Sequence, residues 1–107
     1  MAYAPVYSNA LISVQGLDGT FEYTVEDGYV AILRDLDVYY GGGVGGGDID
    51  LIGSAEQTIW HESSGAPSGW VYWAWRGRQV IGSGQTVKVS TTDAMDVSLS
   101  GYLLTAG

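Results

Sequence analysis

The sequence predicts an all-β chain, an antiparallel, jelly-roll-like β-sandwich of about eight strands, and three observations carry that prediction. Apolar residues recur with period two rather than the helical period of about 3.6, so side chains alternate between two faces. Turn-forming clusters interrupt the alternation at residues 16–20, 26–28, 41–47, 63–69, 82–84 and 91–94. Gly (17 residues), Tyr (8) and Trp (4) are plentiful while charged residues make up 15%, a profile of tight turns and pleated strands and not of disorder. A chain of 107 residues holds one core, so 1–107 is read as a single sandwich domain in which 1–9 form an extended N-terminal arm.

Each strand has its own pattern. Short strands are expected around residues 10–14, 48–52 and 57–62. Phe21, Tyr23 and Val25 alternate with Glu22, Thr24 and Glu26, the signature of a half-buried strand. Val87 and Val89 point inward around an outward Lys88. Met95, Val97, Leu99 and Leu103 share one face, with Asp96, Ser98 and Ser100 on the other.

Two strands are apolar on both faces. Along 28–40, strict alternation puts Val30, Ile32, Leu36 and Val38 on one side and Tyr29, Ala31, Leu33 and Tyr39 on the other. Along 69–81, Val71, Trp73 and Trp75 share a face, with Trp70, Tyr72 and Ala74 opposite. A sandwich solvates one face of each sheet, so such strands need a second cover. Another copy of the same chain supplies it, and homo-oligomerisation is expected. Arg34 falls on the Val30/Ile32 face, where an unpaired charge is costly. The sequence therefore calls for a bulge at Arg34-Asp35, or for a pairing carboxylate such as Asp35 or Asp37, and the bulge is preferred.

Composition and motifs exclude several functions. The net charge is −8, with Arg34, Arg76, Arg78 and Lys88 the only basic side chains, so neither nucleic acid nor an anionic membrane is an expected partner. The absence of cysteine removes disulfides and cysteine-based zinc sites. The first fourteen residues lack the basic and apolar regions of a secretory signal, and no apolar run reaches the ~20 residues of a membrane span.

Gly41, Gly43 and Gly46 satisfy the spacing of a dinucleotide-binding turn, but strand-like residues follow where that turn requires a helix. The same run misses a calcium-binding turn because Gly47 stands where its aspartate belongs, so Asp48 and Asp50 read as solubilising a strand end. His61 is the single histidine, and its neighbour Glu62 points to the opposite face, so the two cannot form a catalytic relay. No nucleophile-elbow pattern is present. The expectation is a non-enzyme with no cofactor and no metal.

The aromatic strand is the functional candidate. Trp60, Trp70, Trp73 and Trp75, with Tyr72, suit either a platform for sugar rings or a core joined to a subunit interface. The interface reading is preferred, and its candidates are Arg34, Tyr39, Trp70, Tyr72, Trp73, Trp75, Arg76 and Arg78.

Three stretches, EDGYVAILRDLDVYY, WRGRQVIGSGQTVKVST and DVSLSGYLLTAG, resemble small β-sandwich proteins encoded among the virion structural genes of tailed bacteriophages, those of actinobacteria above all. The resemblance implies a helix-poor jelly roll that assembles with itself as a trimer. It implies a place in the virion, as a capsid decoration or an accessory of the neck or tail. Partners would be other virion proteins such as the major capsid protein, with assembly in the host bacterial cytoplasm. The competing class is a carbohydrate-binding β-sandwich module for host-surface glycans.

Overall fold

Turn residues that should divide the chain near both ends instead bend two long strands. The computed structural model describes residues 6–41, 46–64 and 70–105. Among these residues lie β1 (Val6–Thr24), β2 (Tyr29–Tyr40), β3 (Gly47–Ile52), β4 (Thr58–Ser64), β5 (Val71–Ile81) and β6 (Thr86–Thr105), with a 3₁₀ turn at Ser54–Glu56. All pairings are antiparallel. β1 pairs with β6 from Val6↔Leu104 to Thr24↔Thr86. The other edge of β6 is shared end to end, by β2 along residues 96–105 and by β3 along residues 88–91. β5 flanks β2, and β4 flanks β3.

The β1–β6 ribbon therefore belongs to two four-stranded arrays, β1–β6–β2–β5 and β1–β6–β3–β4. Counted in each array, the six strands give eight segments, a jelly-roll-like arrangement as expected. The inner sides of both arrays close around one core that includes Ile12, Leu33, Leu36, Val38, Tyr40, Ile49, Leu51, Val89 and Leu99. Each such side chain stabilises the fold by roughly 1.5–3 kcal/mol relative to exposure.

The clusters at 16–20 and 91–94 are corrected from turns to bends within β1 and β6. Register slips between Val14 and Leu17 and between Leu17 and Gly19, with φ of 67° at Gly16 and 127° at Gly19. Glycine takes these left-handed angles without a Cβ clash, so a bulge forms where a reversal was expected. Thr91 ties the bend together: its Oγ1 donates to the Leu17 carbonyl at 2.5 Å and accepts from the Gly19 amide at 3.3 Å. The clusters at 26–28 and 82–84 are reversals as expected, and they are stitched together by Val25 N–Gln85 O and Gly84 N–Val25 O bonds. Residues 6–9, expected in an extended arm, pair with Gly101–Leu104, and 1–5 lie outside the described residues.

The bulge at Arg34 is present. β2 slips register between Leu33 and Asp35 against both β5 and β6. Before it Ala31 and Leu33 are buried; after it Leu36, Val38 and Tyr40 are. Val30, Ile32, Leu36 and Val38 consequently do not share one face, which corrects the strict alternation. The outer side of β2 carries Val30 and Ile32, then Asp35, Asp37 and Tyr39. In β5 the alternation of burial holds from Val71 to Arg78 and lapses at the exposed Gln79; Trp73 lies opposite Val38 and Trp75 opposite Leu36, both packed on the core.

Candidate functional site

The outer face of the β1–β6–β2–β5 array divides at the Arg34 bulge into two zones of opposite chemistry. Directly opposed residues on antiparallel strands share a face, so the register fixes the rows. Tyr39 stands between Tyr72 on β5 and Asp96 on β6. Asp37 stands between Ala74 and Ser98, and Asp35 between Arg76 and Ser100. Beyond the bulge, Ile32 stands between Val80 and Tyr102, and Val30 opposes Leu104.

The first zone is aromatic and polar. Trp70 is 73% exposed, Tyr39 51% and Tyr72 49%. The Tyr39 and Tyr72 rings lie 4.9 Å apart, tilted by 34°. The Trp70 indole lies against the Gly41 backbone, where an added Cβ would sit 3.1 Å from the ring. Asp37 Oδ1 accepts from the Tyr72 hydroxyl at 2.5 Å and from Arg76 Nη2 at 2.7 Å, and Arg76 Nη2 also reaches the Tyr72 oxygen at 3.0 Å. Arg76 Nε lies 3.4 Å from Asp35 Oδ1.

Burial pushes the Asp37 carboxyl up, but the Tyr72 and Arg76 hydrogen bonds and the Arg76 charge outweigh it and hold it below the usual carboxylate range. The bond to Asp37 raises the Tyr72 hydroxyl in turn. At the other side, Asp96 Oδ1 accepts from the Gly16 amide at 2.8 Å. Between these groups runs an open groove of about 250 Å³, lined by Ser13, Gln15, Asp37, Tyr39, Asp96 and Ser98 over a floor of Val14 and Val97.

The second zone is apolar. Val30, Ile32, Tyr102 and Leu104 are half-buried and Val80 is 58% exposed. The Arg34 guanidinium lies 5.6 Å over the Tyr102 ring, and its buried Nε has no hydrogen-bond partner among the described residues. Asp35 and Asp37, the candidate partners of Arg34 in the less favoured alternative to a bulge, pair with Arg76.

The eight sequence candidates thus separate. Tyr39, Trp70, Tyr72 and Arg76 gather in the polar zone, and Arg34 sits in the apolar one. Trp73 and Trp75 face the core, and the Trp75 ring lies so close over Gly77 that an added Cβ would stand 2.5 Å from it. Arg78 is exposed with no ion pair among the described residues. Asp96 and Asp37 were not singled out as site residues; the outward placement of Asp96 was readable from alternation, that of Asp37 depends on the bulge, and their meeting depends on a register that joins distant strands.

Elsewhere, His61 Nδ1 lies 2.6 Å from Asp50 Oδ1, directly opposite on β3. That hydrogen bond, with the charges of Asp50, Asp48 and Glu62, holds the imidazole above its ordinary value against slight burial. Glu62 opposes Ile49 in the next row, so it does not join the pair. Among the described residues no three His, Asp or Glu side chains gather as a metal site, and no helix is long and apolar enough to cross a membrane. β3 begins at Gly47, the last residue of the glycine run, while 42–45 lie outside the described residues.

No protein-family model matches the chain, and no curated protein matches it in sequence. Solved structures do share its shape. Dimeric latent PorU from Porphyromonas gingivalis matches with a TM-score of 0.53 and 10% identity over 95% of this chain. The Gx strain of infectious bursal disease virus matches at 0.45 and 16% over 99%, and the NLP core of Drosophila at 0.47 and 9% over 94%. This chain spans 12% of the PorU chain, 33% of the viral chain and 98% of the NLP core. The likeness is one of fold alone.

Proposed function

We propose that this chain is a non-catalytic structural subunit that assembles with itself, as a trimeric decoration or accessory protein on the capsid, neck or tail of a tailed-phage virion. The observation that carries self-assembly is the apolar zone beyond the Arg34 bulge. An antiparallel sheet ordinarily presents polar residues to water on its outer face. Here Val30, Ile32, Tyr102 and Leu104, each half-buried, and the exposed Val80 form adjoining rows, and a contiguous, partly exposed apolar patch marks an interaction surface. The virion assignment is supported by the resemblance of the three sequence stretches, and an acidic chain with this fold is compatible with it.

Light-scattering mass of the purified chain tests the assembly. The trimer mass is expected for the native chain, and the monomer mass for Val80→Asp with an unchanged circular-dichroism spectrum. A native chain that stays monomeric at high micromolar concentration overturns the reading. Detection of the chain in purified phage particles by mass spectrometry tests the virion assignment.

A further inference from the structure

We propose that the polar-aromatic zone of the same outer face is a binding site for a neutral glycan. Of three exposed rings, Tyr39 lines a groove whose walls are otherwise hydrogen-bonding groups, Tyr72 packs against Tyr39 with ring centroids 4.9 Å apart, and Trp70 lies two residues before Tyr72, its ring against Gly41. A pyranose presents C–H groups on its faces and hydroxyls at its rim. The electron-rich face of an aromatic ring attracts the former, and carboxylates, amides and hydroxyls bond the latter. Both surfaces are supplied here within one patch.

The polar groups are already held in place. Asp37 Oδ1 is fixed by Tyr72 and Arg76, and Asp96 Oδ1 by the Gly16 amide, while Oδ2 of each has no partner among the described residues. Each carboxylate therefore offers a free oxygen to a hydroxyl donor without reorganising, which limits the ordering cost of binding. Ser13, Gln15 and Ser98 add donors and acceptors along the groove.

Charge selects the occupant. Asp35, Asp37 and Asp96 outnumber Arg76 in the zone, and the chain carries a net charge of −8. Sialic acids, uronates and phosphates are repelled, as is a second copy bringing the same carboxylates. A neutral sugar avoids the repulsion and can use the acceptors. At about 250 Å³ the groove lies below the roughly 300–1,000 Å³ of enclosed ligand pockets, so it receives one or two rings of a longer chain and binds weakly.

The test is titration of the native chain with cellotetraose, maltotetraose, laminaritetraose and chitotetraose, followed by intrinsic fluorescence and calorimetry, with tetragalacturonate as the anionic control. A saturable response to at least one neutral tetrasaccharide and none to tetragalacturonate is expected. Trp70→Ala, Tyr72→Ala and Asp37→Asn should each weaken it by about tenfold. Val80→Asp lies in the other zone and should bind as the native chain does, so loss of assembly leaves this proposal intact. Silence toward all four neutral sugars overturns it. Equal binding of tetragalacturonate, or unchanged affinity in both Trp70→Ala and Tyr72→Ala, overturns it as well.

Discussion

At Gly101 a Cβ would stand 2.0 Å from the Ile32 carbonyl oxygen and 3.2 Å from the Leu33 Cα. This is where the Arg34 bulge presses β2 onto β6, since Gly101 opposes Leu33. The obstruction is backbone, so no side chain can swing away to relieve it. Gly101→Ala is expected to destabilise by about 3 kcal/mol, read as a lowered urea midpoint at unchanged slope. An equally local test concerns His61. Its folded-state value lies above the ordinary 6.5, so protonation stabilises the native state. That contribution is complete below 6.5 and disappears as pH rises through the folded value. An NMR titration should place His61 above 6.5, and Asp50→Asn should return it toward 6.5 and flatten the corresponding pH dependence of Tm. The Arg34 bulge was legible because a lone charge interrupts an apolar alternation. The partners of Arg76 were not, because Asp35 and Asp37 reach it only through the β2–β5 register.

Among the elements, β5 shows how far alternation alone can go. It assigned Trp73 and Trp75 to one face and Trp70 and Tyr72 to the other, and the former pack on the core while the latter stand in solvent. Truncation should respect that division. Trp75→Ala is expected to destabilise by about 3 kcal/mol, at the low end for a core aromatic because the ring is only partly buried. Trp70→Ala should change stability by less than ~0.5 kcal/mol, and paired denaturant unfolding curves will show the difference. Alternation was less informative in β1 and β6. A bulge and a reversal recruit the same residues, Gly, Asp and Thr, and only the pairing partner distinguishes them. The clusters at 16–20 and 91–94 looked like ends of strands because the sequence there contains no trace of the strand alongside.

For the whole molecule, an outer face with one wet aromatic half and one apolar half predicts two separable behaviours. Mass should respond to Val80 and be indifferent to Trp70; sugar titrations should do the reverse. Light scattering of Trp70→Ala is therefore expected to return the native assembly mass. The fold class and the inward set of β6 were evident in the chain, since period-two patterning reports burial directly. The division of the outer face was not. It arises because a one-residue slip at Arg34 exchanges the faces of β2 halfway along, which places Val30 and Ile32 on the same exterior as Asp35 and Asp37.

The β1–β6 spine has a consequence for how the protein is made. Bonds across it, such as Thr24–Thr86 and Gly16–Asp96, join residues 62 and 80 positions apart. On the ribosome β1 emerges early and stays unpaired until β6 has been synthesised, so the ribbon shared by both arrays is completed last. Topologies dominated by such distant pairings fold slowly, over milliseconds to seconds, and leave strand edges open meanwhile. A stop codon within β6 removes the partner of β1, β2 and β3 at once. Truncated translation products should accordingly appear in inclusion bodies, and the full chain should refold with a single slow phase.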